Sequence, residues 1–296
     1  MAFLHSIVLP KEVFMPSLSA QELVNSNVEL VSLPAIVTKV NDLLNSPTAS
    51  AADIAELISQ DPGLTLRLLK MVNSPFYNFP SKIETVSMAI TVLGINQLRD
   101  LLIATTLVNR FKSKPDTDFD IETFWCHSIT TGLAARTIAL NRKIPNSERL
   151  FIAGLLHDIG KMLMALLLPM HYAELNQSYL QSTKANESDI FGFNHDELGE
   201  CLLNTWHFPS TIATPIRHHH DLQSADMYKT DTAILHIGNV IANNIQAPVS
   251  PDDDTLLNPL ALKTLNMDER DIEPYYESVY QLLDQLLETL YYDIAA

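Results

Sequence analysis

The chain has 296 residues, 47% of them hydrophobic and only 18% charged, which is enough apolar material for one large core or two modest ones and excludes a disordered polymer. Its net charge of -16 disfavours DNA, RNA and anionic membrane surfaces as non-specific partners, but not a small nucleotide held at a local metal site. The two cysteines, Cys126 and Cys201, lie in apolar helical patterns, so no disulfide framework is implied and a reducing cytoplasm is expected.

The pattern predicts an all-α protein, because glycine is scarce and strand-like alternation is rare. Residues 1–30 are poorly periodic and read as an N-terminal extension with a short helix near Ala20–Val24. The first ten, MAFLHSIVLP, lack a basic segment and a small-residue cleavage site, which argues against a signal peptide. From Leu33 the periodicity sharpens. Pro34 suits a first helical turn, with Ile36, Val37, Val40, Leu43 and Leu44 on one face. Ser50 and Asp53 form a capping-box pattern for the next helix, and Asp61-Pro62 opens another that Asn73-Ser74-Pro75 ends. Further helices are expected over 83–93, ending at Gly94, and over 96–110. These five make an N-terminal helical lobe over 31–115.

The polar stretch 111–120 reads as a lobe boundary, with Asp116, Asp118 and Asp120 on a solvated loop. A second lobe over 116–248 follows, with helices expected at 121–141, 147–157, 160–168, 195–206, 209–218 and 229–243. The run Met162 to Met170 is too short to span a membrane. After a break at 247–256 carrying Asp252, Asp253 and Asp254, C-terminal helices occupy 249–296. The last has Val279, Leu282, Leu283, Leu286, Leu287 and Leu290 at helical spacing, a stripe for core packing or a partner helix.

Within the second lobe runs a series of histidines and aspartates: His127, His157-Asp158, His195, the trio His218-His219-His220, and Asp221. His157-Asp158 ends an apolar helix two residues before Gly160, where the carboxylate could bridge two ions while the imidazole binds one. Lys161 reads equally as a phosphate-facing group or as an ordinary last-turn lysine. His195 follows Asn194 and could serve the helix start, with Glu197 completing a local cap. His219 and His220 are adjacent, so they are expected to point different ways. Imidazoles and carboxylates from several helices can converge in a bundle core, and mixed N/O ligation suits iron, manganese, zinc or nickel better than calcium. The alternative is a former site whose histidines now pack and hydrogen-bond.

LLHDIGK at 155–161 resembles the HD superfamily of metal-dependent phosphohydrolases, and more narrowly the HDOD domain. SLPAIVTKVNDLL at 32–44, ADIAELISQDPGLTLRLLKMVNSPFY at 52–77, AITVLG at 89–94 and TPIRHHHD at 214–221 carry the narrower resemblance, which spans about 25–245. It implies an HD-type bundle with an added N-terminal helical lobe. It also implies metal ligands at His127, His157, Asp158, His195, His219 and His220, with Asp158 and Lys161 as the catalytic pair. On this reading His127, His157, Asp158 and His195 hold a first ion, Asp158 bridges, and His219 and His220 help hold a second. Lys161 would steady a phosphoryl oxygen.

Two departures stand out. The superfamily's last aspartate position is matched by Asn239 in LHIGNVIA at 235–242, a neutral and weaker ligand that counts against a second ion. The related HD-GYP cyclic di-GMP phosphodiesterases carry a DGxGYP loop after the histidine pair, whereas DLQSADMYKT follows His220 here. The resemblance therefore implies a cytoplasmic bacterial signal-transduction or regulatory protein, non-catalytic or weakly active, working through a regulatory protein partner or a small phosphorylated ligand. The alternative is a metal-dependent phosphohydrolase acting on a nucleotide or phosphate ester. A metal-binding sensor without catalysis is the third reading.

Overall fold

The computed structural model describes residues 18–46, 48–111, 119–177, 184–246 and 256–292. Every regular element among them is helical. The N-terminal lobe is built from α3 (Ala35–Asn45), α4 (Ala51–Ser59), α5 (Pro62–Val72), α6 (Val86–Leu93) and α7 (Ile95–Arg110), after the short α1 (Ala20–Ser26) and α2 (Val28–Val31). The HD-like lobe comprises α8 (Ile121–Asn141), α9 (Glu148–Leu156), α10 (Ile159–Leu167), α11 (Pro169–Gln177), α12 (Lys184–Phe191), α13 (His195–Thr205), α14 (Ser210–His218) and α15 (Lys229–Gln246). The chain ends in α16 (Pro259–Leu265) and α17 (Glu273–Leu287), which runs on into a π turn over Glu288–Tyr292.

Local chemistry sets most boundaries. The Ser50 hydroxyl accepts from Asp53 N–H while the Asp53 carboxylate accepts from Ser50 N–H, closing the expected capping box. Asp61 caps α5 with Pro62 in its first turn. α3 begins one residue after Pro34, which stands in the cap position rather than in the helix. α6 starts at Val86, not 83. The Asn73 amide accepts from Ile83 N–H and donates to Ile83 C=O, both at 2.7 Å, so Ile83 is committed to the NSPF loop and Thr85 takes the cap. α11 and α12 lie where no helix was expected. The Asp116 and Asp118 loop, most of the break at 247–256 and residues 1–17 fall outside the described residues.

α8 is the axis of the HD-like lobe, packed by α9, α15 and α17. Gly132 on α8 meets Gly154 on α9 so closely that a Cβ at 154 would overlap the Gly132 backbone. Gly238 on α15 is in turn tight against α8, where a Cβ would stand 3.0 Å from the Thr131 carbonyl oxygen. Two ion pairs also link these helices, Arg136 with Glu148 at 3.3 Å and a bidentate Arg149–Asp231 pair at 2.8 Å.

The two lobes share one continuous apolar core. Phe76, from the NSPFY loop, lies with its ring 4.6 Å from that of Phe151 on α9, and the Arg136 guanidinium covers Phe76 at 3.9 Å. α1, within the expected extension, packs on α13, and just beyond the extension Trp206 donates its indole N–H to the Val31 carbonyl at 2.7 Å. The C-terminal leucine stripe is buried except at half-buried Leu282: α17 packs on α8 and its π turn reaches α5 and α7. Glu148–Leu167 is apolar and long enough to cross a membrane, but 83% of its apolar window is buried as α9 and α10.

Gly154→Ala should destabilise the protein by about 1–3 kcal/mol through the forced separation of α8 and α9. Gly63→Ala, where the nearest atom is the mobile end of Arg67 at 3.3 Å, should be neutral or stabilising by up to about 1 kcal/mol. Urea midpoints compare them, and equal midpoints would count against the crossing as a constraint.

Candidate metal centre

The glycine crossing decides where the site forms. His127 lies five residues before Gly132 on α8, His157 three after Gly154, and Asn239 directly after Gly238. His157 and Asp158 occupy the tight turn between α9 and α10. Gly160 lets α13 close over that turn, because a Cβ there would overlap the His195 carbonyl. The start of α13 and the end of α14 then bring His195, His219 and His220 to the same place.

Asp158 is the centre. Its Oδ2 lies 3.3 Å from His157 Nε2 and 3.8 Å from His127 Nε2. Its Oδ1 lies 3.3 Å from His195 Nε2 and 3.8 Å from His219 Nε2. One carboxylate thus presents one oxygen to each of two imidazole sets: His127 with His157, and His195 with His219 and His220. All six expected ligand residues converge. The partition differs from the one expected, because His195 belongs with His219 and His220 rather than with His127.

Hydrogen bonds away from the centre set the tautomers. His157 Nδ1 is 2.7 Å from the Gly154 carbonyl and His219 Nδ1 is 2.6 Å from the Ile216 carbonyl. A carbonyl can only accept, so each Nδ1 carries a proton, and whenever the ring is neutral its Nε2 lone pair faces the interior. His195 Nδ1 lies 2.6 Å from Oε2 of Glu187, which also accepts the His195 main-chain N–H at 2.9 Å. This is the carboxylate–imidazole pairing typical behind metal ligands. Glu187 was missed in the sequence because α12 was missed. Its one trace in the sequence is the i, i+4 spacing of Glu187 and Phe191, which the structure buries together.

His219 and His220 were expected to diverge, yet both rings turn inward, with centroids 3.8 Å apart. α14 ends at His218, and His219 and His220 lie in the bend that follows it, so the placement of their rings belongs to that bend rather than to a helix face. His218 itself is the last helical residue and Asp221 is exposed, bonding Ser224; neither is among the groups that converge. Lys161 lies in the first turn of α10, not a last turn, and its ammonium is 2.9 Å from Asp158 Oδ2. No bond from Glu197 completes a cap at His195; its own N–H donates to Asp196. Asn239 hydrogen-bonds on the His127 side. The weakened ligand position therefore touches the His127–His157 set and leaves the His195 set complete.

The charges favour a cation. Burial would push the Asp158 carboxyl up, but His157 and Lys161 beside it outweigh that and hold it well below the usual carboxylate range. Burial, reinforced by His157, brings His127 down to about 4. Burial also lowers His219 and His220, each helped by a neighbouring imidazole. Burial pulls His195 down too, but Glu187 overcomes it and the net shift is upward.

Three observations fit a metal. Asp158 Oδ1 and His219 Nε2 are buried with no hydrogen-bond partner, an arrangement that costs roughly 1–3 kcal/mol per group when nothing compensates. His127 and His157 face each other Nε2 to Nε2 at 3.3 Å, and His195 and His220 at 3.1 Å. Nitrogens bound about 2.0–2.1 Å from one ion stand roughly 2.8–3.4 Å apart at right or tetrahedral angles. Iron, manganese, zinc or nickel suits such a donor set; its nitrogen-rich character disfavours calcium.

A family model for the HDOD domain matches residues 30–222. An uncharacterised protein of Treponema pallidum (strain Nichols) is 26% identical over 220 residues, 72% of this chain, and the chain spans 42% of that protein's length. An HDOD domain protein of unknown function from Geobacter sulfurreducens superposes with a TM-score of 0.68 at 24% identity, covering 92% of this chain and 98% of that one. A candidate phosphohydrolase from Shewanella amazonensis gives 0.69 at 24%, covering 90% and 96%. A candidate signal transduction protein from Marinobacter aquaeolei gives 0.67 at 18%, covering 89% and 60%. These structures share the fold. With the match running from the N-terminal lobe through the His218-His219-His220 trio, the chain belongs to the HDOD domain family.

Proposed function

We propose that this protein is a regulatory HDOD protein of bacterial signal transduction whose HD-like lobe holds one or two divalent ions, with little or no turnover. One observation carries the metal part: Asp158 directs its two oxygens to two separate imidazole sets, with Oδ1 and His219 Nε2 buried and unpartnered. The regulatory part is supported by what surrounds that centre. His157, Asp158, His195 and His219 are almost wholly buried, no glycine-rich loop follows His220, and an amide replaces a carboxylate at Asn239. The name given to the Marinobacter relative, a signal transduction protein, points the same way. A regulatory protein partner, a small phosphorylated ligand and a cytoplasmic setting belong to the same proposal.

The same carboxylate supports a second reading, a metal-dependent phosphohydrolase, the class named for the Shewanella relative. A divalent ion bound there would polarise a phosphoryl oxygen and activate water. The chain's own part would fall to His127, Lys161 and His220, the members of the cluster that are not fully buried. The Lys161 ammonium would leave or share Asp158 Oδ2 to meet a phosphoryl oxygen. The six imidazole and carboxylate ligands would hold the ions, with Asp158 across both sets.

Protein purified without chelator should carry at least one equivalent of iron, manganese, zinc or nickel by plasma emission, and Asp158→Ala should carry under a tenth of that. A wild-type protein that neither retains metal nor takes up Mn2+ or Zn2+ would sink the reading. Asn239→Asp should tighten Mn2+ binding on the His127 side by on the order of tenfold, about 1.4 kcal/mol, read by calorimetric titration. An unchanged isotherm would remove Asn239 from the centre. With Mn2+ and bis(p-nitrophenyl) phosphate, the regulatory reading expects wild type and Asp158→Ala to be indistinguishable; release abolished by Asp158→Ala favours the phosphohydrolase.

A further inference from the structure

We propose that Glu187 is a positioning residue for the His195 side of the centre and that α11 and α12 form an arm that delivers it. The proposal rests on the metal-binding reading. It starts from a difference among the imidazoles. His157 and His219 both follow the last turn of a helix, so each finds the carbonyl three residues earlier, Gly154 and Ile216, to hold its Nδ1 proton. His195 is the first residue of α13. No helical turn precedes it, so its own helix offers no such carbonyl. The acceptor has to come from another element, and α12 supplies it.

Glu187 meets that need closely. It is fully buried, and its Oε2 takes both the Nδ1 proton at 2.6 Å and the main-chain N–H of His195 at 2.9 Å. Asn194, a residue type that ordinarily caps a helix, makes no side-chain cap bond to α13. The carboxylate therefore meets the positive end of α13 and orients the ring with a single atom. His195 Nε2 is left facing Asp158 Oδ1 at 3.3 Å and His220 Nε2 at 3.1 Å. A carboxylate behind an imidazole also makes it a more basic donor than a carbonyl does. Of the two imidazole sets, the His195 set is the one whose ring orientation draws on α12. Its affinity for an ion is tied to the docking of α12.

The test uses the full chain, Co2+ alone as probe, and three proteins: wild type, Glu187→Gln and Glu187→Ala. Gln keeps an acceptor for both N–H groups and loses the charge. Expected is a 10–100-fold loss of Co2+ affinity at one of two sites in Glu187→Ala, a smaller loss in Glu187→Gln, and an altered visible Co2+ spectrum in both. In the metal-free proteins at alkaline pH, long-range 15N–1H correlation should find the His195 proton on Nδ1 in wild type and Glu187→Gln and shared between the two nitrogens in Glu187→Ala. Thermal melting of the metal-free proteins separates loss of fold from loss of site, and Glu187→Gln decides if Glu187→Ala does not fold. Unchanged Co2+ affinity together with an unchanged His195 tautomer would overturn the proposal. Failure of wild type to bind Co2+ would sink the metal reading instead, leaving the tautomer measurement to judge Glu187 as a positioning residue.

Discussion

The close approach of α8 and α9 at Gly132 and Gly154 is the constraint on which the site depends. With side chains at those positions the helices would separate, and His127 and His157 would leave the 3.3 Å separation that makes them a pair. Gly238 applies the same rule to α15, and Gly160 applies it to the α10–α13 corner. Four residues without side chains draw together groups whose charges and lone pairs resist being close. The ordinary apolar core, continuous through both lobes, supplies the force that holds them there.

That crowding explains the electrostatics. A buried carboxylate surrounded by imidazoles whose lone pairs point inward is a poor arrangement for a protein alone and a good one for a cation. Lys161 partly meets the need by lying against Oδ2, but Oδ1 has no hydrogen-bond partner among the described residues. The asymmetry between the sets follows. Both sets share Asp158; the His127 set adds two imidazoles with an ammonium and an amide beside them, and the His195 set adds three imidazoles with the Glu187 carboxylate behind one of them. The more complete donor set is therefore the one backed by the arm.

Much of this was legible in the sequence because it is locally encoded. The Ser50–Asp53 box, the Asp61-Pro62 start and the stop at Gly94 act within four residues of themselves. The six converging residues were legible through a motif. The pairing among them was not, since whether His195 faces His127 or His220 is settled by how two corners meet in space. The same holds for the inward turn of His219 and His220, which lie in the bend after α14 rather than on a helix face. α11 and α12 were missed because their apolar residues do not gather on one face, and with them went Glu187. Ile83 shows a long-range side-chain clamp overriding a local helix pattern.

α8 carries Arg136, lying over Phe76 of the N-terminal lobe, and His127, at the centre, nine residues apart on one unbroken helix. At helical rise that is a rod of about 13.5 Å. A helix is stiff along its axis, so the aromatic hook and the imidazole behave as two ends of one lever, with Gly132 between them at the closest crossing. Any displacement of the Phe76 loop that tilted α8 would therefore move His127 with it, since no loop separates the two contacts along the helix.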